Sequence, residues 1–448
     1  MAEKNYIDVH ETPKISKLVP LSLQHLFAMF GATVLVPILT GLDPATALFT
    51  SGLGTLLFLW ITKGKLPNYL GSSFAFIGPI ITVSQMHGVG SALLGCFLSG
   101  IIYIIVAAIV KKAGVKWLDY ILPPVVIASV IVVIGLSLAG TAVDMATKVT
   151  VDNVSVISLT SIEISLVTVL VTVFAAVVLR GFFALIPVLI GIVVGYLYTL
   201  VRHPELIDLQ KVADAPRLIG FGEMFDNHFK LHEVSAVIGE PSAWIAAMVI
   251  APVAFVTLAE HLGHLLVTSK VMDRDLMKDP GLHRSLLGDG VATAIAGLLG
   301  GPPATTYGEN IGVLAITRVF SRNVIGLAAV FAILFAFIGK LSALLMTIPN
   351  PVLGGVSIIL FGIIAAQGLR MYVDHRISFE NKRNMIIAAV ILVTGIGGYK
   401  ISFAGMEGFL GNITIDNIAL STFLGILLHL ILPGKESAMG QATAEQTK

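Results

Sequence analysis

Charge is scarce in this sequence. Asp, Glu, Lys and Arg make up 12% of the 448 residues, while 56% are apolar. A soluble domain of this length carries about twice that charge, and the mean hydropathy of +0.92 belongs to a chain bathed in lipid. Cysteine is nearly absent. The single Cys96 lies in an apolar run, which excludes a disulfide framework and a cysteine-held metal. A net charge of +1, without a basic tract interleaved with aromatics, excludes nucleic acid as a partner. No Ser/His/Asp nucleophile set and no phosphate loop stands in a plausible context, so neither an enzyme nor a bound cofactor or metal is expected. The N-terminal charges end at Lys17, and the apolar run that follows has no small-residue cleavage site; it is a first span and not a removed signal.

What the sequence has in abundance is apolar runs. They fall at about 18–40, 44–62, 72–86, 90–110, 118–141, 157–179 and 182–201. After a polar loop they resume at about 240–268, 285–300, 304–320, 323–347, 350–369, 384–401 and 413–432. The expected fold is an all-α polytopic membrane protein of about fourteen spans. Lysines and arginines such as Lys63, Lys111, Arg180, Arg274, Arg318 and Arg370 follow even-numbered spans or lie in the tails. The bias is about three to one, which places both termini in the cytoplasm and the loop at 202–235 outside.

The halves echo each other at an offset of roughly 230 residues. Ser72-Ser73-Phe74-Ala75 matches Thr305-Thr306-Tyr307-Gly308, Pro124 and Gly135 share the spacing of Pro351 and Gly362, and Gln24-His25-Leu26 matches Glu260-His261-Leu262. Seven spans per copy is odd, so the second copy enters the membrane inverted. Such repeats place a substrate site where a broken helix recurs in each half.

The tenth span is such a break. Gly301-Pro302-Pro303 forbids a helix, and Ala304 to Tyr307 favour an extended chain. Only Gly308 to Arg318 can be helical, about 15 Å or half a bilayer core. Its N-terminus puts free N–H groups and a positive dipole end at mid-depth beside Glu309. The third span matches: Leu66-Pro67 and Gly71 interrupt its start, and Pro79 suits a first helical turn. Two extended pieces at that depth are expected to pair with each other.

Glu260 lies deep in the eighth run, where a carboxylate costs about 2.5 kcal/mol or more unless it faces a cavity or a partner. It is either a ligand contact or a structural carboxylate paired with His25 or His264. Glu309 is either a second ligand contact or a cap on its own half-helix. His264 follows Glu260 by four residues, on the same helix face, where the two can share a proton. No third ligand follows at zinc spacing. His25 is a core histidine or a titrating one. Phe74 and Tyr307 are apolar fillers or line a flat ligand, and Gly308 admits a ligand close to backbone N–H groups.

The motif Glu309-Asn310-x-Gly312-x4-Thr317-Arg318, with Gln24-His25 in the first span and Ser73-Phe74 in the third, resembles the signature of the nucleobase–ascorbate transporters. The likeness spans nearly the whole chain, and Glu at the head of the motif is similar to the uracil-carrying branch. The resemblance implies a core domain (1–116 and 237–347) and a gate domain (117–236 and 348–448). It further implies a pocket between them in which Glu260 and Glu309 bind the base, Phe74, Gly308 and Tyr307 line it with Ser73 nearby, and Ala32 packs against the ring. Proton symport and a homodimer through the gate, in a bacterial cytoplasmic membrane, are implied as well. Where a relative carries an aromatic hydroxyl in the twelfth span, this chain has Phe361.

Uracil fits that expectation chemically. It offers N–H donors to two carboxylates and carbonyl acceptors to two half-helix N-termini. Cytosine would leave buried groups mismatched. Two carboxylates in one dehydrated pocket repel, so at least one carries a proton. The coupling proton is expected on Glu309 or its neighbour His264, with Glu260 mainly holding substrate, or with those roles reversed; His25 and Asn310 are counted with the proton-coupling residues. The rivals are a xanthine or purine permease of the same family and a sulfate-type anion transporter of the same plan.

Overall fold

The computed structural model describes residues 6–151, 154–402, 414–415 and 417–433. The chain is mostly helical. Among the described residues seven helices are long and apolar enough to cross a membrane, eight if one bent pair counts as a single span, and three shorter apolar helices accompany them. The protein is therefore a multi-pass membrane protein.

Two packing groups are visible in the contacts. In the first, α1 (Ile15–Thr40) packs on α2 (Pro44–Ile61), and α4 (Val89–Ala113) joins them through a later helix, Leu282–Leu299. The second is built from α5 (Pro124–Ser137), α6 (Ala139–Thr147), α7 (Leu159–Val177) and α8 (Pro187–Arg202), with a hairpin of β2 (Lys148–Val151) and β3 (Val154–Ile157). The chain then returns to the first group with α9 (Pro241–Ile250), α10 (Val253–Met272) and α11 (Leu282–Leu299), the last lying along α4 and α2. The remaining helices, α15 (Asn350–Asp374), α16 (Lys382–Ile396) and α17 (Asn417–Ile431), join the second group, α15 against α5, α6 and α7. Helix α10 touches both groups, meeting α5 and α17 on one side.

Between the groups the chain is not helical throughout. β1 (Leu70–Ser72) leads through one 3-10 turn, Phe74–Phe76, into α3 (Ile77–His87). β4 (Ala304–Thr306) leads into α12 (Gly308–Thr317). The two strands pair antiparallel, Leu70 with Thr306, Gly71 with Thr305 and Ser72 with Ala304. Backbone groups of strands buried at membrane depth need partners, and neighbouring helices supply the ones that the ladder leaves over. Ser51 Oγ of α2 donates to the Leu70 carbonyl at 2.6 Å, and Thr55 Oγ1 accepts from Leu70 N–H at 3.0 Å. Thr293 Oγ1 of α11 serves Ala304 in both directions, at 3.1 and 3.2 Å.

One run read as a single span is divided. The run at 323–347 is α13 (Arg322–Ala336) and α14 (Gly339–Met346), bent by 80°. The cause lies in the 202–235 loop, to which the sequence assigned no role. Its Ile219 N–H donates to the Phe337 carbonyl at 2.8 Å, where the helix would otherwise continue. Lys340 Nζ donates to the carbonyls of Val212 and Ala213, both at 2.7 Å. The run at 240–268 falls in one apolar span, Pro241–Met272, with a turn at Ala251 and Pro252 between α9 and α10, and that at 118–141 passes from a short helix, Lys116–Ile121, into α5 at Pro124. Residues 413 and 416 of the last run and the tail at 434–448 lie outside the described residues.

A second tie closes the opposite end. Ile7 bridges Val319, and Asp8 pairs with Arg274 at 2.8 Å, so the N-terminal segment is bound to the loop after α12 and to the end of α10.

Candidate functional site

The cavity between the two packing groups is lined by Phe74, Thr305, Thr306, Tyr307, Gly308 and Glu309 of the broken segments and by Glu260 and His264 of α10. Ile131 of α5 and Ile364 and Gln367 of α15 close it from the other group. Both carboxylates are half-buried and face this one space. Thr305 Oγ1 donates to Glu260 Oε2 at 3.4 Å, which ties the acid of α10 to the paired strands. The volume is about 20 Å³, room for about one water molecule.

The half-helix ends are chemically open. No side chain caps the 3-10 turn at Phe74 or α12 at Gly308. Their first-turn N–H groups lack intrahelical partners and present a positive dipole end to the cavity. Tyr307 is fixed beneath: its N–H donates to the Tyr69 carbonyl at 3.0 Å and its hydroxyl to the Ser72 carbonyl at 2.9 Å. Glycine at 71 is what permits this. A β-carbon there would lie 2.4 Å from the Tyr307 ring and 2.7 Å from Thr33 Oγ1.

Of the residues singled out in the sequence, Glu260, Glu309, His264, Phe74, Tyr307 and Gly308 meet at this cavity. Ala32, Ser73 and Phe361 are buried outside its lining. The Phe361 ring packs edge-on against Phe74 with centroids 5.8 Å apart, one layer behind the wall. His25 and Asn310 are also set back. The Asn310 amide donates to the His25 carbonyl at 3.0 Å and lies 3.1 Å from His25 Nδ1, joining α1 to α12.

Sequence reasoning passed over a second buried cluster. His261, next to Glu260 but on another face of α10, has Nδ1 2.7 Å from Asp289 Oδ2 of α11, and both side chains are fully buried. Its Nε2 is bonded to the Ser285 hydroxyl. Asp289 carried the same signal as Glu260, an acid in an apolar run, but it lies close enough to Arg284 to pass for the charged end of a span. The cluster fastens α10 to α11 behind the cavity. Gln367 was also missed, because a neutral amide near the end of a run carries no charge to mark it.

With this geometry in view, the comparisons with known proteins are specific. Residues 16–402 match a family model for xanthine–uracil permeases, described as the permease family. The chain is 53% identical to the uracil permease of Bacillus caldolyticus, over 97% of this chain and 96% of that protein. It is 50% identical to the uracil permease of Bacillus subtilis (strain 168), over 99% of each. Solved structures similar to it include murine Solute Carrier 26 family member A9, an anion transporter in the inward-facing state, with a TM-score of 0.66 and 13% identity over 94% of this chain and 68% of that one. The transmembrane domain of the cyanobacterial bicarbonate transporter BicA has a TM-score of 0.58 and 14% identity, covering 95% of this chain and all of that one. These two structures share the fold.

Proposed function

The chain belongs to the permease family of nucleobase–ascorbate transporters, and we propose that it imports uracil together with a proton across a bacterial cytoplasmic membrane. One observation carries this reading: Glu260 and Glu309 face one cavity at which two uncapped half-helix ends converge. Carboxylates accept hydrogen bonds from the ring N–H groups and free amides donate to its carbonyls, a pattern that cytosine cannot match. Relatives at 50% and 53% identity named uracil permease support the choice of base.

In this reading the first packing group is the core, the second the gate, and the fourteen spans form two inverted copies. Alternating access is the parting of Ile131, Ile364 and Gln367 from the strand-bound wall, first on one side of the membrane and then on the other. His264, beside Glu260 on the cavity wall, and Glu309 are the candidates for the coupling proton. His25 and Asn310 are bonded to each other behind it and hold α12 in place instead. Both termini are cytoplasmic, following the distribution of Lys and Arg, and a homodimer forms through the gate.

Uptake of labelled uracil into proteoliposomes tests the proposal. Uptake is expected to rise when the outside is acidified and to collapse with a protonophore. Uptake indifferent to both treatments removes the proton, and absence of uracil uptake in the presence of a proton gradient removes the substrate.

A further inference from the structure

The cavity walls differ in chemistry. The core side carries two carboxylates, an imidazole, two threonines and free backbone amides; the gate side presents Ile131, Ile364 and one polar side chain, Gln367. Phe361 of the same helix offers no hydrogen bond, its ring packed against Phe74. Gln367 reaches across the boundary. A β-carbon on Gly308 would lie 3.1 Å from both Nε2 and Oε1 of Gln367 and 3.4 Å from His264 Nε2, so all three atoms crowd over the start of α12. The Gln367 amide and the His264 ring thus stand side by side over that turn.

We propose that Gln367 is the gate-side hydrogen-bonding residue of the nucleobase site, turning its amide from the neighbourhood of His264 to a carbonyl and N–H edge of the base as the gate closes. The inference rests on the nucleobase reading given above. A primary amide holds a donor and an acceptor in one plane and so matches an adjacent C=O and N–H on a flat ring. Because Gln367 sits on α15 while the acids sit on the core, its bond to the base forms only when the two groups are together. It therefore contributes to the closed, loaded state and not to first capture. The amide can also turn over and meet an edge of opposite polarity. Discrimination between uracil and cytosine consequently stays with the carboxylates, and Gln367 supplies affinity and closure.

Equilibrium binding to the purified protein tests this, with uracil and two analogues, 2-pyrimidinone and 4-pyrimidinone, each lacking one carbonyl oxygen and one ring N–H of uracil. Gln367→Leu is expected to weaken uracil binding by about ten- to a hundredfold, with the uracil-to-cytosine ratio unchanged. For the analogue without the oxygen that Gln367 bonds, wild type and variant should bind alike. Gln367→Asn should recover part of the loss, and Gln367→Met serves in place of Leu if the latter melts early. A Leu or Met variant that binds uracil within twofold of wild type overturns the proposal. So does an equal loss for uracil and both analogues, which would mark a packing defect. If wild type binds another base and not uracil, the substrate reading falls, while the same comparison run on that base still judges Gln367.

Discussion

His261 Nδ1 lies 2.7 Å from Asp289 Oδ2 with both side chains out of reach of solvent. Removing one partner of such a pair leaves the other buried and uncompensated, at a cost of about 3–5 kcal/mol. Asp289→Ala should lower the melting temperature of the detergent-solubilised protein by several degrees. Replacing both residues with apolar side chains of similar size should cost less than the single change. Equal melting of wild type and Asp289→Ala would deny the pair a structural role.

Glu260 stands at the centre of the binding argument. A hydrogen bond to a charged group is worth about 1.5–3 kcal/mol, so Glu260→Ala should weaken uracil binding by about ten- to a hundredfold or more. Calorimetric titration of the folded variant measures this. Retained affinity would move the site elsewhere.

Gly71→Ala probes the ladder under the site. The added methyl would meet the Tyr307 ring, and overpacking of this kind costs about 1–3 kcal/mol. Lower thermal stability and weaker uracil binding are expected together, with Tyr307→Leu in the same chain restoring part of the stability. A Gly71→Ala protein with unaltered melting and binding would contradict the close contact.

The 202–235 loop gives a pH-dependent expectation. Asp43 caps α2 through the Ala45 and Thr46 N–H groups and lies 2.7 Å from His228 Nδ1. Burial alone would push the Asp43 carboxyl up, but the bond to His228 and its charge, with those N–H bonds, hold it below the usual carboxylate range. The same bond raises His228, against a smaller opposing effect of burial. A raised histidine stabilises fully below its unfolded value, about pH 6.5, and loses that contribution as pH climbs through the folded value. The lowered Asp43 contributes above about pH 4 and loses it as pH falls through its own folded value. The melting difference between wild type and His228→Ala should thus be largest near pH 5–6 and shrink on the alkaline side. A difference that is flat from pH 5 to 9 would sink the ion-pair assignment.

How much of this was legible beforehand depended on the kind of signal. Gly301-Pro302-Pro303 announces an interruption because neither residue type sustains a helix at mid-depth, and Glu260 stands out because its charge is costly there. The bend between α13 and α14 left a weaker mark. Gly339 stands there, but a lone glycine does not end an apolar run, and the turn is held by contacts of Phe337 and Lys340 with a segment more than a hundred residues away. Gln367 was invisible for a related reason: only the approach of α15 to α12 gives a neutral amide something to recognise. Ala32 and Phe361 were placed at the pocket by likeness alone; both are buried outside its lining, Phe361 with its ring against Phe74.

The short ladder between β1 and β4 has a mechanical consequence. Its rungs join Ser72 to Ala304 and Leu70 to Thr306, and shearing them inside a membrane would strand backbone groups where no water can replace the lost bonds. The two half-helices are yoked: neither can tilt or retreat without dragging the other, and cargo resting on their tips rides on one stiff cradle.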